Sequence, residues 1–228
     1  MFYSKKFNLL FIASPKTGTV SVHEALQKLD NSGSRRVIEI GKKVITGKDL
    51  NQGIIGHARA REIKEALGEK SYSSLNTMAF VRNPYSKLVS SYFFNRQNKL
   101  YQSFTIKGKK NRFKRRLRYF LSTLSAKLLP FKLWALVYPY RSNLSYLTDY
   151  DGSLIVKYIG RTEFLDKDFH FLLAQMDIDS KHIVIGKKNT SSHDLEESYF
   201  QERWFRNIIT KKMKADINLY EEICKNLG

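Results

Sequence analysis

The chain has 228 residues, of which 42% are hydrophobic, and one cysteine, Cys224. This length favours a single domain, the apolar content excludes a largely disordered chain, and one cysteine excludes an intrachain disulfide. The formal charge of +19 is concentrated in the middle of the chain, since residues 70–148 hold 16 Lys or Arg and no Asp or Glu. This concentration of positive charge predicts an anionic partner such as a nucleotide, an acidic polymer or a membrane surface.

Apolar runs and helix-end signals predict the elements in chain order. Strands are predicted at 7–13, 36–40, 75–81, 154–159 and 182–185, and helices at 19–29, 58–67, 84–96, 163–175 and 201–226. Pro84 suits the first helical position, and Gly68 suits the end of a helix. The alternation predicts an α/β fold with a P-loop-like parallel β-sheet flanked by helices on both faces. We expect one domain over 1–228 with a basic helical insertion at about 97–150.

The first strand is followed by the motif "SPKTGT" at residues 14–19. In an ATP-binding P-loop the lysine follows the last glycine, whereas here Lys16 precedes Gly18. Glycine permits close backbone approach, the helix that follows offers unpaired N–H groups, and Thr17, Thr19 and Ser21 offer hydroxyls. The motif predicts an anion cradle, with an ordinary strand–turn–helix as the alternative.

A second motif follows the strand at 75–81. Arg82 lies at the strand end, and Ser90 lies about two helical turns beyond Asn83 on the same side. Arginine suits phosphate recognition, whereas an ATP-hydrolysing protein would carry a metal-binding aspartate at such a strand end. Two cationic strand ends therefore suit a ligand with two separate phosphates. The alternative makes Arg82 a helix-capping or ion-pairing residue.

The sequence "SPKTGT" followed by "FVRNPYSKLVSSYF" resembles sulfotransferases that use 3′-phosphoadenosine 5′-phosphosulfate (PAPS). The resemblance is to the branch of Golgi carbohydrate sulfotransferases and their bacterial relatives, and it continues through 146–169 and 187–200. It implies that Arg82 and Ser90 bind the 3′-phosphate, that 188–192 closes near the 3′-phosphate or the adenine, and that no metal is required. It also implies a 5′-phosphosulfate loop formed by Lys16, Thr17, Gly18, Thr19, Val20 and Ser21.

The resemblance also implies catalytic roles. Lys16 would stabilise the charge that develops as 3′-phosphoadenosine 5′-phosphate (PAP) leaves. His57, which precedes the helix at 58–67, is the predicted general base, and His23 is its rival. Glu24 and Glu62 remain alternatives, because some relatives use glutamate. The other histidines, namely His170, His182 and His193, are interpreted as surface or packing residues. After a later strand, Arg161 and Glu163 favour a structural ion pair over a ligand site.

The acceptor is expected to be a hydroxyl of a saccharide or glycolipid, with an anionic saccharide as one option and nucleic acid excluded. Residues 107–128 place Phe113, Leu117, Phe120, Leu121, Leu124 and Leu128 at helical spacing. Three interpretations stay open for this basic segment: a solvated helix packed by its apolar face, a docking surface for an anionic saccharide, or peripheral membrane contact through 107–140. We expect a bacterial enzyme in the cytoplasm or at the inner membrane surface, since the chain lacks a membrane anchor.

Two other functions compete with sulfuryl transfer. A P-loop-type kinase of nucleosides or small molecules predicts a GK[ST] sequence and an acidic strand end, and neither is present. A basic module that binds nucleic acid or membrane without catalysis accounts for the charge at 96–118. It leaves the paired phosphate motifs unexplained.

Overall fold

The computed structural model describes residues 1–41, 43–46, 57–100, 112–186 and 196–228. Its strands are β1 (Phe2–Ser4), β2 (Leu9–Ile12), β3 (Val37–Ile40), β4 (Lys43–Thr46), β5 (Asn76–Val81) and β6 (Tyr158–Arg161). Its helices are α1 (Thr19–Leu29), α2 (Ala60–Leu67), α3 (Glu69–Ser73), α4 (Pro84–Gln97), α5 (Arg112–Leu128), α6 (Phe131–Val137), α7 (Leu144–Leu147), α8 (Leu165–Ala174) and α9 (Arg203–Leu227). None of the described helices is long and apolar enough to cross a membrane.

The central sheet has the strand order β1-β2-β5-β6. β1 is antiparallel to β2, whereas β2, β5 and β6 run parallel to one another. Ile12 lies opposite Ala79, and Val81 lies opposite Arg161. The three parallel strands therefore end at one edge, which is where ligands bind in open α/β sheets.

Alternate residues of the strands point to opposite faces, and helices cover both. On one face Leu10, Ile12 and Ala79 pack with residues of α2, α7 and α9. On the other face Phe11 and Phe80 pack with residues of α1 and α8. The predicted α/β class with helices on both faces is confirmed, because nearly continuous apolar runs such as "LLFI" are what a strand buried on both sides requires.

Several predicted strands differ from the structure. The strand expected at 154–159 begins only at Tyr158, because residues 149–153 form a turn closed by a bridge between Thr148 and Leu154. Residues 182–185 form no strand, although Ile183 and Ile185 are buried and Val184 is exposed. The strand at 36–40 is present, but it pairs with β4 in a separate two-stranded sheet.

The basic middle segment is helical where the structure describes it, and α5 packs in an unexpected way. Its fully buried residues are Thr123 and Ala126, whereas Phe113 and Leu128 are 77% and 71% exposed. Of the six apolar residues at helical spacing, Phe120 and Leu124 are half-buried and the other four are exposed, so α5 packs by this face only in part. α4, α6 and α9 form a helical cluster around Trp134 and Phe205, and α5 contributes only Ala126 to its buried residues.

Candidate functional site

The loop between β2 and α1 depends on two left-handed backbone positions. Lys16 has φ of 68° and Gly18 has φ of 66°. A Cβ on Gly18 would lie 3.1 Å from a methyl carbon of Leu165, so both the left-handed backbone and the limited space favour glycine here. A left-handed lysine costs of order 1–3 kcal/mol, and such strain persists where the surrounding structure imposes it.

The hydroxyl groups of the loop are used differently from the prediction. Thr17 and Thr19 both donate to the backbone oxygen of Ser14, each over 2.9 Å. Their side chains therefore brace the loop, which leaves its backbone N–H groups and Lys16 to contact an anion. Ser21 is buried in the first turn of α1, and Val20 is exposed. The hydroxyl oxygen of Ser14 is buried with no hydrogen-bond partner among the described residues.

Nothing in the described residues caps the start of α1 with a side chain, and its first turn contains no acidic residue. The N-terminus of a helix carries a partial positive charge and unpaired N–H groups. Gly18 is the N-cap residue, so this end of α1 opens directly onto the Lys16 loop. A helix end of this kind attracts anions, so the predicted anion cradle is compatible with the local structure.

Lys16 is held in an unusual electrostatic environment. Its Nζ lies 4.1 Å from the centroid of the Phe94 ring. Burial, together with the positive charge of Arg82, lowers the pKa of Lys16 to about 8. Two cations are thus held near each other, and a bound anion would relieve their repulsion.

Arg82 is positioned by groups that the sequence did not reveal. Its Nε donates to Ser86 Oγ over 3.0 Å, and its backbone oxygen accepts from Asn143 Nδ2. Asn83 caps α4 by accepting from Tyr85 N. Ser86 lies four residues after Arg82, and this helical spacing could have predicted the contact between them.

Ser90 is buried one helical turn after Ser86, on the same side of α4. Its contact with a phosphate stays a prediction.

Buried polar residues hold the segment that supports Arg82. Lys87 donates to the backbone oxygen of Arg141 over 2.6 Å and to Asn143 Oδ1 over 2.7 Å. Asp216 accepts from the backbone N of Asn143 over 2.7 Å and from Tyr140 over 2.6 Å. These contacts span more than 50 residues, so no local sequence pattern could predict them.

His57 lies beside the residue that precedes the Lys16 loop. Its Nδ1 is 2.9 Å from the backbone oxygen of Ala13, the residue that precedes the loop. A carbonyl oxygen can only accept, so Nδ1 carries the proton and Nε2 of the neutral ring carries the free lone pair. The surroundings of the His57 ring desolvate it and lower its pKa, and this effect is larger than the opposite effect of the hydrogen bond to Ala13. By solvent-accessible surface the whole residue is nevertheless exposed.

The alternative bases are less well placed. His23 packs edge-on against Phe11, and desolvation lowers its pKa to about 3, so it is a weak base. Glu62 is buried and accepts from the backbone N of Arg59, which makes it a cap of α2. His170, in the second half of α8, makes a 2.7 Å contact with Ser180 in the segment that follows this helix. Residues 188–192 and His193 lie outside the described residues.

Arg161 has a structural role at the end of β6, as the sequence favoured, but its partner is Asp168 and not Glu163. Arg161 Nε and a terminal nitrogen donate to the two carboxylate oxygens of Asp168 over 2.9 and 3.0 Å. Glu163 instead accepts from the backbone N of Asn83 and from Tyr220. The pair thus orients α8, whose Leu165 lies behind Gly18.

Two further observations bear on the chemistry. Among the described residues no group of three or more His, Cys, Asp or Glu is arranged to hold a metal ion. An open hollow between α8 and residues 177–181 contains none of the predicted site residues. The strongest candidate site therefore consists of the Lys16 loop, Arg82 and His57.

Comparisons with known proteins agree with this geometry. A family model described as the sulfotransferase family matches residues 1–221. No curated protein and no solved structure gives a significant match. The match extends over all the elements described above except the last turns of α9.

Proposed function

The chain belongs to the sulfotransferase family, and we propose that it transfers the sulfuryl group of PAPS to a hydroxyl of a carbohydrate or glycolipid, releasing PAP. The observation that carries the proposal is the pairing of Lys16 and Arg82 at the ends of two adjacent parallel strands. One cation beside an open helix N-terminus suits the 5′-phosphosulfate. A second cation at the next strand end suits a separate phosphate.

The residues present fit this donor. Lys16 and the first turn of α1 would hold the 5′-phosphosulfate, and Arg82 with Ser86 and Ser90 would hold the 3′-phosphate. The buried hydroxyl of Ser14 has no partner in the part of the chain that the structure describes. This supports a ligand at the base of the loop, because buried polar atoms normally have a partner. Arginine at the end of β5 replaces the acid that a metal-dependent phosphotransferase would need.

The chemistry then follows from Lys16 and His57. Nε2 of His57 accepts the proton of the acceptor hydroxyl while that oxygen attacks sulfur. The bond between sulfur and the bridging phosphate oxygen breaks, and PAP leaves with the negative charge. Lys16 stabilises this developing charge, and such stabilisation is often the largest single catalytic contribution.

The surroundings of His57 support an acceptor that carries negative charge. Arg59 lies over the ring of Tyr146, with 5.9 Å between its guanidinium carbon and the ring centroid. Arg141 is near enough to His57 that its charge helps to lower the pKa of the histidine. An anionic saccharide would place its acidic group against these arginines and its hydroxyl at Nε2.

A thermal-shift comparison of PAP, ATP and AMP tests the proposed function. At about 100 times its dissociation constant, PAP should stabilise the protein by about 2.7 kcal/mol. ATP and AMP at the same concentration should stabilise it far less, since neither carries a 3′-phosphate. A larger shift with ATP than with PAP would favour a kinase. No shift with any nucleotide would favour a basic module without catalysis.

A further inference from the structure

The helix α5 is most deeply buried on a face other than the one its composition favours. Thr123 and Ala126 are its fully buried residues, and Arg116 and Tyr119 on the same side are half-buried. These four positions fall within about 80° of the helix circumference at 100° per residue. The fully buried part of α5 is therefore small or polar, while the large apolar residues Phe120 and Leu124 are half-buried beside it.

The large apolar residues of α5 form a stripe on the other side. Phe113, Leu117, Leu121 and Leu128 also fall within about 80° of the circumference. They are 77%, 44%, 51% and 71% exposed. Leu124 lies in the same arc and is half-buried. Scattered single apolar residues on a surface need no explanation, whereas a contiguous patch marks an interaction site. We call these four exposed residues the α5 stripe.

The charge of the same helix helps to decide which kind of partner covers the α5 stripe. The first seven residues of α5 contain five basic residues, namely Arg112, Lys114, Arg115, Arg116 and Arg118, and the whole helix contains no acidic residue. A second copy of this chain would bring an equally basic helix against the stripe. A nucleic acid or an acidic polysaccharide would match the charge without using the apolar residues.

We propose that α5 binds at the surface of an anionic membrane, with the α5 stripe inserted among the acyl chains and with Lys114 and Arg118, which helical spacing places beside the stripe, at the headgroups. Helices that bind in this way combine an apolar face with Lys and Arg on the polar face. Long basic side chains can extend to the headgroups while their stems stay in apolar surroundings. This inference is independent of the identity of the sulfuryl donor.

The position of α5 relates the lipid surface to the site. Lys127 of α5 donates to the backbone oxygen of Arg96, and Tyr92 donates to that of Leu129. Both contacts join the end of α5 to the end of α4, and α4 carries Phe94 next to Lys16. Binding through the α5 stripe would thus place the lipid surface on the helix pair that adjoins the donor loop.

The test is co-sedimentation of the full chain with phosphatidylcholine vesicles, with and without phosphatidylglycerol. Binding is expected only when phosphatidylglycerol is present. The double substitution Phe113→Ser/Leu121→Ser should weaken vesicle binding at least about tenfold, because the variant lacks two large apolar side chains whose transfer from water into the lipid favours binding. Reversing Lys114 and Arg118 to glutamate should weaken it at least about twentyfold, since each basic residue near an anionic surface is worth about fivefold.

Matched controls keep the result interpretable. Phe171→Ser/Ile208→Ser removes two apolar side chains that are 46% and 47% exposed on α8 and α9, and it should bind vesicles like the unmodified chain. Thermal unfolding of every variant checks the fold. The proposal is overturned by equal binding to both vesicle types, by full binding of Phe113→Ser/Leu121→Ser, or by an equal loss in the control. A dimer that dissociates on substitution of the stripe, without vesicle binding, would identify a second copy as the occupant.

Discussion

His57→Ala is expected to lower kcat by about 10²–10⁴-fold with little change in PAP affinity. This corresponds to about 3–5.5 kcal/mol of transition-state stabilisation. The physical reason is the geometry of the ring, since Nδ1–H is used by Ala13 and leaves Nε2 as the proton acceptor. Desolvation lowers the pKa of His57, which favours the neutral ring. Turnover of PAPS with a panel of saccharides measures the effect.

His23→Ala serves as the control for this prediction. The ring of His23 lies against Phe11, and its pKa is about 3. Removing this ring should therefore leave kcat within a few-fold of the unmodified value if the fold is intact. Undiminished turnover of His57→Ala on a genuine acceptor would reject His57 as the base.

Lys16→Met is expected to impair both donor binding and chemistry. PAP affinity should fall by about 10- to 150-fold, because a charge-assisted hydrogen bond is worth about 1.5–3 kcal/mol. In addition kcat should fall by about 10²–10³-fold, which is typical for removal of a group that stabilises developing negative charge. The combined loss separates Lys16 from His57, whose substitution spares PAP binding. Calorimetry with PAP and turnover of PAPS provide the two measurements.

Lys16 should also make PAP affinity depend on pH. Its pKa of about 8 in the free protein means that it is cationic below pH 8 and neutral above it. Bound phosphate favours the cation and raises this pKa, so PAP affinity should fall as pH rises through 8, by up to tenfold per pH unit. Lys16→Arg keeps a permanent charge and should remove the slope while retaining part of the affinity. An unchanged slope in Lys16→Arg would place the titrating group elsewhere, and Lys87, whose pKa burial also lowers to about 8, would be the next candidate.

The strands and helices that carry the candidate site could be predicted from the sequence, because each has a strong local pattern. β2 and β5 are apolar runs buried on both faces, and Pro84 marks the first residue of α4. Gly18 could be recognised as a position of close approach, and the structure adds Leu165 as the side chain that approaches it. Local composition is sufficient for features of this kind.

Other features depend on contacts between distant residues. The partner of Arg161 was expected two residues away and is found seven residues away on α8, because the ion pair joins a strand end to a helix. Thr17 and Thr19 brace the loop through Ser14, which no spacing rule indicates. The apolar spacing of α5 predicted a helix, but only the packed structure shows which of its faces stays exposed.

The central claim is that this site recognises a nucleotide with a 3′-phosphate, and a comparison of PAP and AMP affinity by calorimetry tests it most directly. The unmodified protein should bind PAP much more tightly than AMP, and Arg82→Ala should erase most of that preference, since a hydrogen bond to a charged group contributes about 1.5–3 kcal/mol. Arg82 lies at the end of β5 with its Nε on Ser86, in place to supply that contact. Equal affinity of the unmodified protein for PAP and AMP would contradict the account.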